Sequence, residues 1–178
     1  MNESENKRLG ELIIELAHGK CEILTDIAYR VEKILRSIGV FYYSNSADVD
    51  DAIQNLYVRL YYKAKDFREN TNACAWVIKL FENSIKSQLK KNKRDRQVLD
   101  EFVSIHAENS LFDEREIERH LFLKSIFDRL TAAEQDLIKY YFWCGFSVRE
   151  VADILHKPKS TIEYQIEKLK EKIKEWEE

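Results

Sequence analysis

Thr161, Tyr164, Gln165 and Lys168 stand at three- and four-residue steps behind a turn marked by Lys157-Pro158. On a helix, that spacing sets a hydroxyl, an aromatic ring, an amide and an ammonium on one outward side. Presented by a tight turn, the first turns of such a helix reach base edges in the major groove of DNA. Thr161 can take a phosphate or a thymine methyl, Gln165 can pair with adenine, and Tyr164 and Lys168 can reach the backbone. The chemistry is recognition by hydrogen bonds and charge, with no bond made or broken.

The elements that must position these residues are legible around them. Leu130 to Glu134, Phe146 to Leu155 and Lys157 to Ile162 follow one another at helix-turn-helix spacing. Thr131 with Glu134, Ser147 with Glu150, and Ser160 with Glu163 each pair a hydroxyl with a carboxylate three residues on, the pattern of a capping box. Gly145 interrupts the chain between the first two of these helices, and Pro158 blocks a helical continuation through Lys157. Ile162, Ile166, Leu169, Ile173 and Trp176 form the inward stripe of the last helix, which leaves Thr161, Glu163, Tyr164, Gln165 and Lys168 facing out. Ile117, Leu121, Phe122 and Ile126 open this second helical unit.

Upstream, the periodicity predicts four more helices. Leu9, Leu12, Ile13 and Leu16 mark a short one. Leu24, Ile27, Ala28, Val31, Ile34, Leu35 and Ile38 mark the next, ended near Gly39. A third is capped by Ser46, has Asp48 in its first turn, and buries Val49, Ile53, Leu56, Tyr57 and Leu60. Its outer face shows Asp50, Asp51, Gln54, Asn55 and Arg59. A fourth, from about Ala73 to Lys91, carries Trp76, Val77, Leu80, Phe81, Ile85 and Leu89. Residues 92 to 114 are polar, weakly periodic and charge-segregated, and read as a linker that can order on a partner.

Composition narrows the function classes. The 178 residues are 44% hydrophobic and 34% charged with four Gly and one Pro, which suits helices and disfavours a hairpin-rich sheet protein. Apolar runs are too short to span a membrane, and Met1 to Gly10 lacks a signal-peptide core, so a cytoplasmic, membrane-free protein is expected. The net charge is −3. Locally, however, Lys79, Lys86, Lys90, Lys91, Lys93, Arg94 and Arg96 gather against only Glu82 and Asp95, and phosphate binding needs local charge. Cys21, Cys74 and Cys144 are widely spaced among apolar residues and read as buried reduced thiols. His18 to Cys21 finds no second pair to complete a zinc site. His106 and His120 lack catalytic partners. Without a nucleophile, metal or phosphate-loop constellation, no enzyme, cofactor or small-molecule substrate is expected.

With these residues in place, the chain resembles the extracytoplasmic-function type of the sigma-70 family of RNA polymerase sigma factors. Asp48 to Leu60, reading DVDDAIQNLYVRL, is similar to the family's polymerase-binding helix. Ala75-Trp76, Asn83 and Leu89-Lys90-Lys91 are similar to its promoter-melting helix, and Leu130 to Lys174 to its upstream promoter-reading domain. The resemblance implies an all-α fold of two helical domains, residues 1–96 and 116–178, joined by a flexible acidic linker over 97–115. It implies that Asp48, Asp51, Gln54, Asn55 and Arg59 dock on the clamp helices of core RNA polymerase, with a further contact at its flap. Asn83, Lys86, Lys90 and Lys91 would lie at the −10 element of promoter DNA, and Ser160, Thr161, Tyr164, Gln165 and Lys168 at the −35 element. An anti-sigma factor is an expected partner of such a chain.

The departures from the family pattern are specific. Asn55 stands for a usual Glu, Glu82 lies where a basic residue is common, and Ser87 replaces Asp. Glu163 and Gln165 stand at positions that are usually more basic, and His156 replaces a common Gly. Fewer cations imply weaker unaided promoter binding, hence a DNA-bound or regulatory partner that helps place the chain. Glu163 is explained as the capping partner of Ser160, whereas the sequence offers no reason for Glu82. Two other classes stay open: an ordinary helix-turn-helix regulator, and a sigma-like adapter that reads no promoter.

Overall fold

The computed structural model describes residues 3–43, 46–69, 71–99 and 125–176, and the side chains of 91–99 fall outside the description. Among the described residues the chain is helical throughout. The N-terminal bundle contains α1 (Glu3–Ala17), α2 (Leu24–Gly39), α3 (Ser46–Lys63) and α4 (Ala73–Leu99). Short 3-10 turns at Cys21–Ile23 and Ala64–Asp66 join them. The C-terminal module follows a short helical piece at 125–128 and contains α5 (Ala132–Leu137), α6 (Val148–Leu155) and α7 (Lys159–Lys174). Between α5 and α6 the chain winds more loosely, as a π-helical stretch over Ile138–Trp143. No described helix is long and apolar enough to cross a membrane.

The apolar stripes named from the sequence are the core. Leu9, Leu12, Ile13 and Leu16 from α1 meet Ile27, Val31, Leu35 and Ile38 from α2, Val49, Ile53, Leu56 and Leu60 from α3, and Val77, Phe81 and Ile85 from α4; all are buried. Leu24, Ile34 and Tyr57 are only partly buried at its edge. Leu89 is exposed, so the inward stripe of α4 ends at Ile85. The backbone of α4 nonetheless remains helical to Leu99, well past the expected end at Lys91. Residues 92–99 contain neither Gly nor Pro and several good helix formers, so nothing local stops the winding. The remainder of the expected linker, with Ile117, Leu121 and Phe122, lies outside the described residues.

Ser46 is the first helical residue of α3 rather than its cap. A tight approach fixes where α3 begins. A methyl group added at Gly39 would stand 2.7 Å from Val49 Cγ1, so α2 and α3 touch backbone to side chain where the chain reverses. Gly39→Ala is expected to destabilise the fold by about 1–3 kcal/mol, as overpacking of a closed core does. Urea unfolding of the purified chain would measure it.

The second core collects Leu130, Leu137, Tyr140, Phe146, Val151, Ile162, Ile166 and Leu169, all buried. Two of the three expected capping boxes are formed: Thr131 with Glu134, and Ser147 with Glu150, each reciprocal. The third is not. Pro158 itself precedes the first turn of α7, its carbonyl accepts from the N–H groups of Thr161 and Ile162, and no side chain caps the helix. Ser160 is therefore already inside the helix. Glu163, freed of capping, pairs with Lys159 at 3.2 Å. The turn before α7 closes on His156, which holds a left-handed backbone (φ 53°) where Gly would be unstrained.

Candidate nucleic-acid and polymerase interfaces

The structure sets the expected site residues on three separate helices. On α3, Asp48, Asp51, Gln54, Asn55 and Arg59 are all exposed. With 3.6 residues per turn they occupy one side of the helix, and the middle of that side holds Val58, 60% exposed, and Tyr62, 67% exposed. Neither is expected as a contact residue from the sequence, because Val58 and Tyr62 belong to no polar pattern. The signal was present in the spacing: Val58 and Tyr62 lie four residues after Gln54 and Val58 respectively. An apolar centre rimmed by polar groups is the anatomy of a protein-binding patch. Asp50, assigned to the same face, instead bonds Arg36 of α2 and is half-buried. At the inner edge of α3, burial pushes the Tyr57 phenol up to about 12, with the Glu32 carboxylate adding to the effect.

On α4, Asn83, Lys86 and Lys90 are exposed and Lys91 lies beyond the described side chains. Asn83 and Lys86 line a groove between the bundle and the C-terminal module, with Lys79 and Trp76 on the same wall and Asp136 and Arg149 opposite. Ser87 turns its hydroxyl back to the Asn83 carbonyl at 2.7 Å, a local bond that leaves the Asn83 side chain unengaged by it. Trp76 packs edge-on against Phe67 and is half-buried, a core role rather than a contact role.

On α7, Ser160, Tyr164 and Lys168 are exposed while Thr161 and Gln165 are half-buried. Lys168 stands over the Tyr164 ring at 5.3 Å, and Lys157 reaches the Gln165 side-chain oxygen at 3.5 Å. The helix is anchored from behind by Lys172, whose ammonium bonds Glu134 of α5 at 2.8 Å. Burial works to raise the Glu134 carboxyl, but Lys172 and the Thr131 cap outweigh it and hold the pKa below the usual carboxylate value. Cys21 is exposed, contrary to expectation, because it opens a 3-10 turn at the surface; Cys74 and Cys144 are buried free thiols. A hydrogen bond to Cys144 and burial together push the Cys74 thiol well above its ordinary value.

Glu82, unexplained in the sequence, is buried and takes part in a polar cluster. Lys139, from the π-helical stretch, places Nζ 2.6 Å from Glu82 Oε1 and 2.6 Å from Asp136 Oδ1. The Tyr42 hydroxyl donates to the same Glu82 oxygen at 3.1 Å. Burial opposes the charge on Lys139, yet Glu82 and Asp136 more than reverse this and raise its pKa. Beside the cluster, the Phe41 ring packs against both Trp143 and Phe127, with centroids 4.5 Å away in each case.

These features define a helical chain with exposed polar faces on α3, α4 and α7, and comparison with known proteins places the fold among others. Residues 28–95 match sigma-70 region 2. The fold is similar to that of CnrH, in its complex with the cytosolic domain of CnrY, with a TM-score of 0.67 over 97% of this chain and 96% of that one at 16% identity. It is also similar to the sigma factor RpoE of Bartonella quintana, in complex with the anti-sigma factor NepR, with a TM-score of 0.52 over 84% of this chain and 95% of that one at 22% identity. The sequence likeness to sigma-70 region 2 thus falls on α2 to α4, and the fold likeness extends over most of the chain.

Proposed function

We propose that this chain binds core RNA polymerase, directs it to a limited set of promoters and helps open their −10 region. The observation that carries the reading is the exposed side of α3, where Asp48, Asp51, Gln54, Asn55 and Arg59 surround Val58 and Tyr62. This patch would dock on the polymerase clamp helices. Asn83, Lys86, Lys90 and Lys91 of α4 would neutralise phosphates and hold unpaired bases at the −10 element. Ser160, Thr161, Tyr164, Gln165 and Lys168 of α7 would read the −35 element. Binding, rather than catalysis, supplies the energy of opening. Residues 1–96 and 116–178 act as the two functional units, joined through 97–115. An anti-sigma protein is a fitting partner, since RpoE is seen with one. With Gln165 and Lys168 already engaged within the chain, a DNA-bound partner would aid promoter choice.

Co-migration of the purified chain with its cognate core polymerase tests the docking patch. The native chain is expected to co-migrate. The Asp51→Arg, Gln54→Ala variant is expected to bind more weakly by about thirtyfold or more, the effect of losing an interface hot spot of ~2 kcal/mol. Failure of the native chain to bind, alongside retention of duplex DNA by the chain alone, would point instead to an ordinary helix-turn-helix regulator.

A further inference from the structure

Glu82 sits in the middle of the α4 sequence to which promoter contact is assigned, flanked by Asn83 and preceded by Lys79 in the same groove wall. An exposed carboxylate there would repel phosphate. Here it is not exposed: its side chain is 9% accessible and that of its partner Lys139 is 5% accessible. Glu82 belongs to the N-terminal bundle and Lys139 to the C-terminal module, 57 residues apart in sequence. Tyr42 approaches from the chain just after α2, and Asp136 from α5, so four polar groups from both halves meet in one cluster, with Glu82 and Lys139 at its buried centre and Tyr42 and Asp136 at its half-buried edge. The Phe41, Phe127 and Trp143 rings close the seam on one side.

This closed arrangement cannot serve two promoter elements at once. The names −35 and −10 set those elements about 25 base pairs apart, about 85 Å at the helical rise of DNA. A compact chain of 178 residues has a radius of gyration of about 16 Å and spans about 40 Å. With α4 and the π-helical stretch joined by a 2.6 Å ion pair, α4 and α7 cannot reach across that distance. The seam must part before both helices can engage DNA.

We propose that Glu82 is a latch. Paired with Lys139 it holds the free chain closed, and unpaired it returns a negative charge to the promoter-facing surface of α4. The proposal rests on the assignment of α4 to promoter DNA for its functional meaning, but the closed state itself belongs to the free chain and is measured without polymerase. A buried ion pair is suited to switching: without Lys139 the Glu82 carboxylate is left buried with the Tyr42 hydroxyl, and without Glu82 the Lys139 ammonium keeps Asp136 of its own module but loses the ion pair that spans the seam. Glu82 thus accounts for the place of an acid where a base would have served DNA better.

The chain carries its own reporters. Cys74 on α4 and Cys144 after the π-helical stretch are each 1% exposed, and their thiols interact across the same seam. Cys21 is exposed and serves as an internal control. In the free native chain, a thiol reagent is expected to modify Cys21 quickly and Cys74 and Cys144 slowly, as resolved by peptide mass spectrometry. Glu82→Lys sets two ammonium groups face to face and is expected to speed Cys74 and Cys144 by about tenfold or more, with Cys21 and the far-UV circular dichroism unchanged. Exchanging the charges, as Glu82→Lys with Lys139→Glu, is expected to restore slow modification. Unchanged rates in Glu82→Lys would overturn the latch, as would fast modification that the charge exchange fails to slow. If Glu82→Lys loses helix content, the isosteric Glu82→Gln decides: rates above the native chain's support the latch and unchanged rates overturn it. Polymerase co-migration of the native chain reports separately on the function, so either idea can fail alone.

Discussion

Replacing Phe81 with alanine is expected to cost about 3–5 kcal/mol of folding stability, read as a lower urea midpoint with an unchanged slope. Phe81 is fully buried and comes from α4, the helix that packs against α1, α2 and α3 alike. Truncation removes the largest fully buried side chain among the described residues of the bundle and leaves a cavity walled by elements that meet around it. Four helices hold one another in register there, so collapse into the space would have to move several of them. The loss sits at the upper end of single-residue effects for that reason. A change in slope would mean instead that the two halves no longer unfold together.

Lys86 and Lys90 provide the opposite kind of case, a large functional effect with little structural cost. Both are exposed on α4, so the Lys86→Ala, Lys90→Ala variant is expected to fold as the native chain does. Binding of the polymerase complex to promoter DNA should weaken, and the plot of log affinity against log salt should become shallower by about 0.7–0.9 for each phosphate no longer neutralised. Measured from 50 to 200 mM salt, a fall of about 1.4–1.8 in slope would assign both lysines to the backbone. An unchanged slope would remove α4 from the DNA surface.

The helices were readable because their apolar residues recur at helical steps and the stripes lie inside. The α2 stripe from Ile27 to Ile38 and the α7 stripe from Ile162 to Leu169 are buried as expected. Capping was readable where the hydroxyl is the last extended residue. It failed at Ser160 because Pro158 already supplies the extended conformation two residues earlier, which no hydroxyl–carboxylate spacing can reveal. The helix α4 runs past the end that its apolar period predicts, because winding continues where no buried stripe is needed. The sequence also left Glu82 without a reason, since its partner is remote along the chain and reaches it only through tertiary packing. Val58 and Tyr62 were missed for a related reason: an apolar residue on an outer face shows its exposure only once the inner face has been filled.

The π-helical stretch at Ile138–Trp143 has a bearing on how the chain tolerates changes in length. Its loosened winding is seen in the Cys144 N–H bonding the Lys139 carbonyl, five residues back. A π turn accommodates about one residue more than an α turn, so deleting a single residue here would let an ordinary helix form without disturbing the loops on either side. Yet Tyr140 stacks on Phe146 within its own module while neighbouring Lys139 faces Glu82 in the other. The deletion would turn these residues by about 100° around the axis relative to the rest of the module, and one of the two placements would be given up. Single-residue gains and losses along this stretch are thus tied to the seam: a descendant chain with the regular helix would be a descendant without the Lys139 bridge.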